Sequence, residues 1–308
     1  MKMKNKPSFS FGDYFGYTEL ESMIDFLQNK FDFIDTGTLG NSIFNRKIYR
    51  LSVGKGEKSI IYIGAHHGME WITAAILMRF LEELCEKYEN GNTVFNISSR
   101  VLLETRRLHI IPMLNPDGIE YQIHGISTNH FLADRIMKMN KGSNDLSHWQ
   151  ANARGVDLNH NYNAGFKEYK IIERNLHIDN GAPTKYSGEY PESEPETRSI
   201  CNFVRISQPE LALTLHTQGE EIYYTSGEQT ANDSLTIAKT LSRLSGYQIS
   251  FPSGTARYGG FTDWFIEEFN KPSFTIECGK GTNPLPFGDF DSIYCKINRA
   301  LFTAPILI

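Results

Sequence analysis

Strand-like and helix-like segments alternate along this chain from end to end, and no other feature constrains its fold as strongly. Ile48 to Val53, Ser59 to Ile63, Leu108 to Leu114, Leu211 to Leu215 and Phe274 to Ile276 are short apolar runs that read as strands. Tyr17 to Phe31, Trp71 to Tyr88, Glu194 to Ile206 and Ser234 to Leu244 carry apolar residues at helical spacing. Ser193 and Glu196 have the spacing of a capping box for the third of these helices, and Pro195 suits its opening turn. Alternation of this kind predicts a layered α/β fold around a mostly parallel sheet. No repeat, low-complexity tract or Gly/Ser-rich linker interrupts it, so a single domain over 17–308 is expected, after an N-terminal extension over 1–16. Tyr121 to Trp149 and Ala164 to Glu192 show no regular pattern and are long for connections in a compact domain. They are expected to flank a cleft.

Charge and hydropathy exclude several classes of partner. The chain has 308 residues, and its 31 Lys+Arg against 36 Asp+Glu give a net charge of −5. With no basic stripe to neutralise phosphates, nucleic acid is not an expected partner. No apolar run approaches the roughly 20 residues that span a bilayer, so membrane insertion is not expected either. Lys2, Lys4 and Lys6 are followed by no apolar segment and no small-residue cleavage site, which does not read as a signal peptide. The chain as written is therefore expected in the cytoplasm, or at the cell wall or outside the cell if it is a processed form. Cys85, Cys201, Cys278 and Cys295 lie far apart without a CxxC pair and read as free thiols.

The chemistry concentrates where strands end. Gly64-Ala65-His66-His67-Gly68-Met69-Glu70-Trp71 reads as a strand end, a short loop and a helix start, with His67 and Glu70 in an HxxE pair. Taken alone, that spacing also suits a surface histidine and a first-turn helix glutamate. Its position matters more, because ligands of α/β sheets bind outside the carboxyl ends of the strands. His216 closes the run LALTL, Glu277 closes FTI, and Asn115-Pro116-Asp117-Gly118 follows LHIIPML. Catalytic zinc takes three protein ligands and keeps one open position, and His67, Glu70 and His216 supply that number and chemistry. Glu277 then remains as a carboxylate suited to be a general base.

The segments GAHHGMEWIT, NPDG, GVDLNHNYNAGF, ALTLHTQGEEIYY, YGGFTDW and FTIECGKG together resemble the zinc carboxypeptidase (carboxypeptidase A-like) family, from about Tyr17 to Leu301. The resemblance implies a single three-layer α/β/α domain around a mixed, mostly parallel eight-stranded sheet. It implies one zinc ion held by His67, Glu70 and His216, Glu277 as the base, and a peptide substrate. Within the family, WQANARGVDLNHNYNAGF and LHTQGEEIYY look most like the bacterial γ-D-glutamyl-L-diamino acid peptidases, which implies a cell-wall stem peptide or muropeptide as substrate. Trimming of ordinary peptides, hydrolysis of N-acyl amino acids and silent binding of wall peptides are the competing readings.

Several positions depart from the digestive members of the family. Asn159-His160 stands where those enzymes carry an Asn-Arg pair for the terminal carboxylate, and imidazole cannot form the planar guanidinium fork. Met69 replaces an Arg beside the Glu ligand. The active-site Tyr falls at Thr255, with Tyr258 three residues on as its candidate replacement, and Thr262 matches the position that sets the side-chain pocket. Arg154 is the candidate to steady the developing oxyanion, against a structural ion pair as the alternative. His66 and Asp157 read as supporting or packing residues, and Cys278 as a buried thiol on the opposite face from Glu277.

Overall fold

The computed structural model describes residues 12–127 and 130–308. Strands β1 (Asp35–Asn41), β2 (Lys47–Val53), β3 (Lys58–Ile63), β4 (Thr93–Val94), β5 (Ile97–Ser98), β6 (Arg106–Ile111), β7 (Leu211–His216), β8 (Glu221–Tyr223), β9 (Gln248–Ile249) and β10 (Ser273–Glu277) alternate with ten helices. The helices are α1 (Tyr17–Lys30), α2 (Ile72–Glu89), α3 (Ser99–Thr105), α4 (Pro116–His124), α5 (Ala133–Met139), α6 (Phe166–Asn175), α7 (Pro195–Ser207), α8 (Ser234–Ser245), α9 (Phe261–Phe269) and α10 (Phe290–Thr303). Eight strands form one sheet in the order β1-β2-β6-β3-β7-β10-β8-β9, while β4 and β5 form a separate short hairpin. The central strands β6, β3, β7 and β10 run parallel, and antiparallel pairs join β1 to β2, β2 to β6 and β10 to β8. This is the expected mixed, mostly parallel eight-stranded sheet.

Strand alternation splits the core into two faces. Ile60 and Tyr62 of β3, with Leu211, Leu213 and Leu215 of β7, pack in one cluster with α1, α2, α8 and α10. Ile61 and Ile63, with Ala212, pack on the other face against Ile200, Cys201 and Val204 of α7 and Phe261, Trp264 and Phe265 of α9. Among the described residues, no helix is long and apolar enough to cross a membrane.

The structure corrects the sequence reading in places. The strand expected to reach Leu114 stops at Ile111, before Pro112, which has no N–H to donate. Both stretches expected to be irregular contain helix: the end of α4 and all of α5 in one, α6 in the other. Ser193 and Glu196 do not form a capping box. The N-cap of α7 is Glu194, with Pro195 at the first helical position, while Glu196 turns inward to receive Asn152 Nδ2 at 3.3 Å and the Ile43 N–H at 3.4 Å. Phe15, inside the expected extension, is fully buried in the core, and residues 1–11 of that extension lie outside the described residues.

Candidate active site

β3 delivers the chain into the loop that carries His67, and Glu70 ends the short 3-10 turn Gly68–Glu70 that leads into α2. The loop fits only because Gly68 and Gly118 have no side chains. A Cβ on Gly68 would lie 2.4 Å from the Gly118 carbonyl oxygen, and one on Gly118 would lie 2.4 Å from the Ala151 carbonyl oxygen. Gly118 belongs to the NPDG turn, where Asn115 Oδ1 caps α4 through the Gly118 N–H at 3.0 Å and Asn115 Nδ2 donates to the His66 carbonyl at 3.0 Å. That packing brings the His67 loop alongside the end of β7.

His67, Glu70 and His216 converge there, each offering one ligand atom, all within 4.8 Å of one another. His67 Nδ1 lies 2.9 Å from Glu70 Oε1, and His216 Nδ1 lies 3.0 Å from Glu70 Oε2, so both imidazoles face one carboxylate. The other nitrogen of His67, Nε2, donates to Asp157 Oδ1 at 3.1 Å. Burial alone would disfavour a charged His67 ring, but the carboxylates of Glu70 and Asp157 outweigh it and raise the His67 pKa well above the usual imidazole value. Glu70 and Asp157, also buried, are both held below the usual carboxylate range, Glu70 by His67 and His216, Asp157 by His67 and His160. The cluster is thus built around a position that favours positive charge.

Glu277 ends β10, and the parallel register places it opposite His216. Phe274 and Ile276 point to the α1/α2/α10 face, so the alternate residues Thr275 and Glu277 turn towards the face that carries His216. Cys278 is fully buried in the cluster on the opposite face, as its parity requires. Burial, reinforced by the Glu70 carboxylate, pushes the Glu277 pKa well above the usual range.

A cavity of about 190 Å³ opens beside the His67–Glu70–His216 cluster and is lined by His67, His216 and Glu277 together with Asn159, His160, Thr255 and Thr262. Thr262 and Thr275, which also lines it, belong to a chain of hydroxyls: Ser273 Oγ donates to Thr262 Oγ1 at 3.3 Å, and Thr275 Oγ1 lies 2.9 Å from Thr262 and 3.2 Å from Thr214. Asn159 Oδ1 accepts the Phe261 N–H at 3.1 Å. His160 stacks on Tyr169 with ring centroids 3.9 Å apart, and its Nδ1–H donates to the Tyr258 carbonyl at 3.0 Å.

Two expected residues do not join this cavity. Arg154 is 42% exposed, its Nε 3.0 Å from Glu194 Oε2, and it lines a separate cavity with Tyr186 and Glu189. An Arg already paired on another surface is not positioned to meet charge developing beside His67. Tyr258, at φ 69, packs its ring against Gly165 and is not among the residues lining the cavity. Gln150, which the sequence reading passed over, does line it, with Oε1 accepting from Thr184 Oγ1. Lys185 and Tyr223 also line it.

A family model described as zinc carboxypeptidase matches residues 20–294. The chain belongs to the zinc carboxypeptidase family. Zinc carboxypeptidases are metallopeptidases that use zinc, and His67, Glu70 and His216 form a group that could hold the ion. The chain is 34% identical over 281 residues to γ-D-glutamyl-L-diamino acid endopeptidase 1 of Lysinibacillus sphaericus, covering 91% of this chain and 69% of that protein. It is 26% identical over 264 residues to carboxypeptidase B of Rattus norvegicus, covering 80% and 58% respectively. In structure it is similar to thrombin activatable fibrinolysis inhibitor, with a TM-score of 0.71 at 21% identity over 96% of this chain and 73% of that one.

The residues present fit the zinc of a zinc carboxypeptidase. Asp157 fixes the proton of His67 on Nε2 and leaves Nδ1 facing the cluster, the outer-shell arrangement typical of metal-bound histidine. His66, next in sequence, is not part of the cluster. It is fully buried, its Nε2 lies 3.0 Å from the Tyr162 hydroxyl, and it stacks on His216 at 5.1 Å between centroids.

Proposed function

We propose that this metallopeptidase hydrolyses the bond between a γ-linked D-glutamyl residue and a diamino acid in bacterial cell-wall stem peptides, with His67, Glu70 and His216 as zinc ligands and Glu277 as general base. Bound zinc supplies a Lewis acid that polarises the scissile carbonyl and acidifies the attacking water. Glu277 takes a proton from that water and returns it to the leaving amine. Asp157 holds the His67 ring in register throughout. Asn159, His160 and Thr262 face the substrate from the cavity wall.

One observation carries the choice of substrate. His160 occupies the position of the carboxylate-gripping Arg, and its Nδ1–H is committed to the Tyr258 carbonyl while its ring is stacked on Tyr169. It cannot offer the two parallel donors that hold a terminal carboxylate. That supports a substrate gripped through other groups, in keeping with the similarity to the γ-D-glutamyl-L-diamino acid endopeptidase of Lysinibacillus sphaericus.

The test compares γ-D-glutamyl-meso-diaminopimelate with a dipeptide blocked at its N-terminus and ending in an ordinary α-carboxylate. Faster cleavage of the γ-glutamyl compound is expected. Preferential cleavage of the blocked dipeptide would make the protein an ordinary carboxypeptidase and overturn the proposal.

A further inference from the structure

A γ-glutamyl linkage differs from an ordinary peptide bond in leaving the glutamyl α-carboxylate free beside the scissile bond. A cavity that accepts it needs a cation. Lys185 is the only Lys or Arg among the described residues that line the cavity. It has no ion-pair partner among the described residues, whereas its cavity neighbours Asp157 and Thr184 are both hydrogen-bonded within the protein.

The backbone holds Lys185 in place at some conformational expense. Its φ is +67°, a left-handed conformation unfavourable for a non-glycine residue. It persists because the Lys185 N–H donates to Asp157 Oδ2 at 2.9 Å and its carbonyl accepts the Tyr169 hydroxyl at 3.2 Å. Asp157 is the same carboxylate that orients His67 through Oδ1. One side chain therefore contacts both the His67 ring and the backbone from which the Lys185 side chain departs.

We propose that Lys185 anchors a substrate carboxylate adjacent to the scissile bond, an inference that rests on the peptidase reading of this cavity. The carboxylate belongs either to the γ-linked glutamyl residue or to the diamino acid that follows. An ammonium on a flexible stem can meet a carboxylate offered at either place, whereas a terminal carboxylate held by a rigid fork cannot vary in this way.

The test uses zinc-loaded E277Q protein and calorimetric titration with three probes: γ-D-glutamyl-L-lysine, the same dipeptide amidated at the glutamyl α-carboxylate, and the same dipeptide amidated at the lysyl carboxylate. One amidation is expected to weaken binding about tenfold or more, the cost of losing a charge-assisted hydrogen bond, and the position of that loss identifies which carboxylate is held. K185M, which keeps the stem and removes the charge, should bring free and amidated probes to within about twofold, and K185R should restore part of the preference. A merely structural lysine would change all three affinities together. Retention of the preference in K185M/E277Q, or its absence from E277Q itself, overturns the inference. Turnover of γ-D-glutamyl-L-lysine by the unmutated enzyme is measured separately. A Lys185-dependent preference without turnover would remove the proposed substrate and leave the carboxylate anchor standing.

Discussion

His216 and Glu277 sit opposite each other in the parallel register of β7 and β10, the last residues of two adjacent central strands. A histidine that faces the Glu70 carboxylate and a carboxylate with no hydrogen-bond partner among the described residues are thereby fixed side by side by backbone pairing, not by loop conformation. Glu277→Gln is expected to keep one zinc per chain and to lower turnover by about 10² to 10⁴, the usual contribution of a positioned base. Metal analysis alongside steady-state kinetics checks this, and near-normal turnover would remove Glu277 from the mechanism.

Asp157 touches His67 through one oxygen and the Lys185 backbone through the other. Asp157→Asn removes the charge that favours Nδ1 as the metal-facing nitrogen. Zinc affinity should fall about 10- to 100-fold, measured by competition with a chromogenic chelator. Unchanged affinity would mean that the loop alone orients His67.

The sequence showed the ligand cluster because strand ends are readable: apolar runs that stop at His216 and Glu277 imply where those residues emerge. It could not show the far wall of the cavity. Thr184 and Lys185 lie in a stretch without regular pattern and Gln150 directly follows another, and they reach the site through tertiary bonds such as Lys185 N–H to Asp157. Nor does anything local announce the ion pair of Arg154 with Glu194, 40 residues on, which was one of the two readings open for it. The edge strand β1, rich in Gly and Thr, and the short β8 and β9 carried no apolar run to mark them. Ser193-Glu196 met the local rule for a cap, yet Glu196 was claimed by a buried network that also holds Glu194 and Asn152.

That network makes stability depend on pH. Burial pushes Glu196 from an ordinary 4.5 up to about 8 in the folded protein. A carboxyl whose folded value lies above its unfolded one stabilises fully below the unfolded value, and the benefit is lost as pH rises from about 4.5 towards 8. Glu196→Gln keeps the shape without the charge. Thermal unfolding should place it above the unmutated protein at pH 8 by roughly 1–3 kcal/mol, the scale of an imperfectly solvated buried polar group, with the difference shrinking towards pH 5. A constant difference across that range would contradict the assignment.

Arg154 and Gln150 separate the two candidate walls. Arg154→Ala removes an ion pair that is partly exposed and faces another cavity, so kcat/KM should stay within about twofold. Gln150→Ala removes a polar group from the active cavity and should lower kcat/KM by up to about tenfold. The opposite ranking in the same assay would return Arg154 to the site.

Mass spectrometry of a defined muropeptide containing γ-D-glutamyl-meso-diaminopimelate, incubated with the protein as isolated, after chelation and after zinc is restored, tests the central claim most directly. The account predicts fragments cut between the D-glutamyl residue and the diaminopimelate, lost on chelation and recovered with zinc. An intact muropeptide with zinc present, or cleavage that persists without metal, would contradict it.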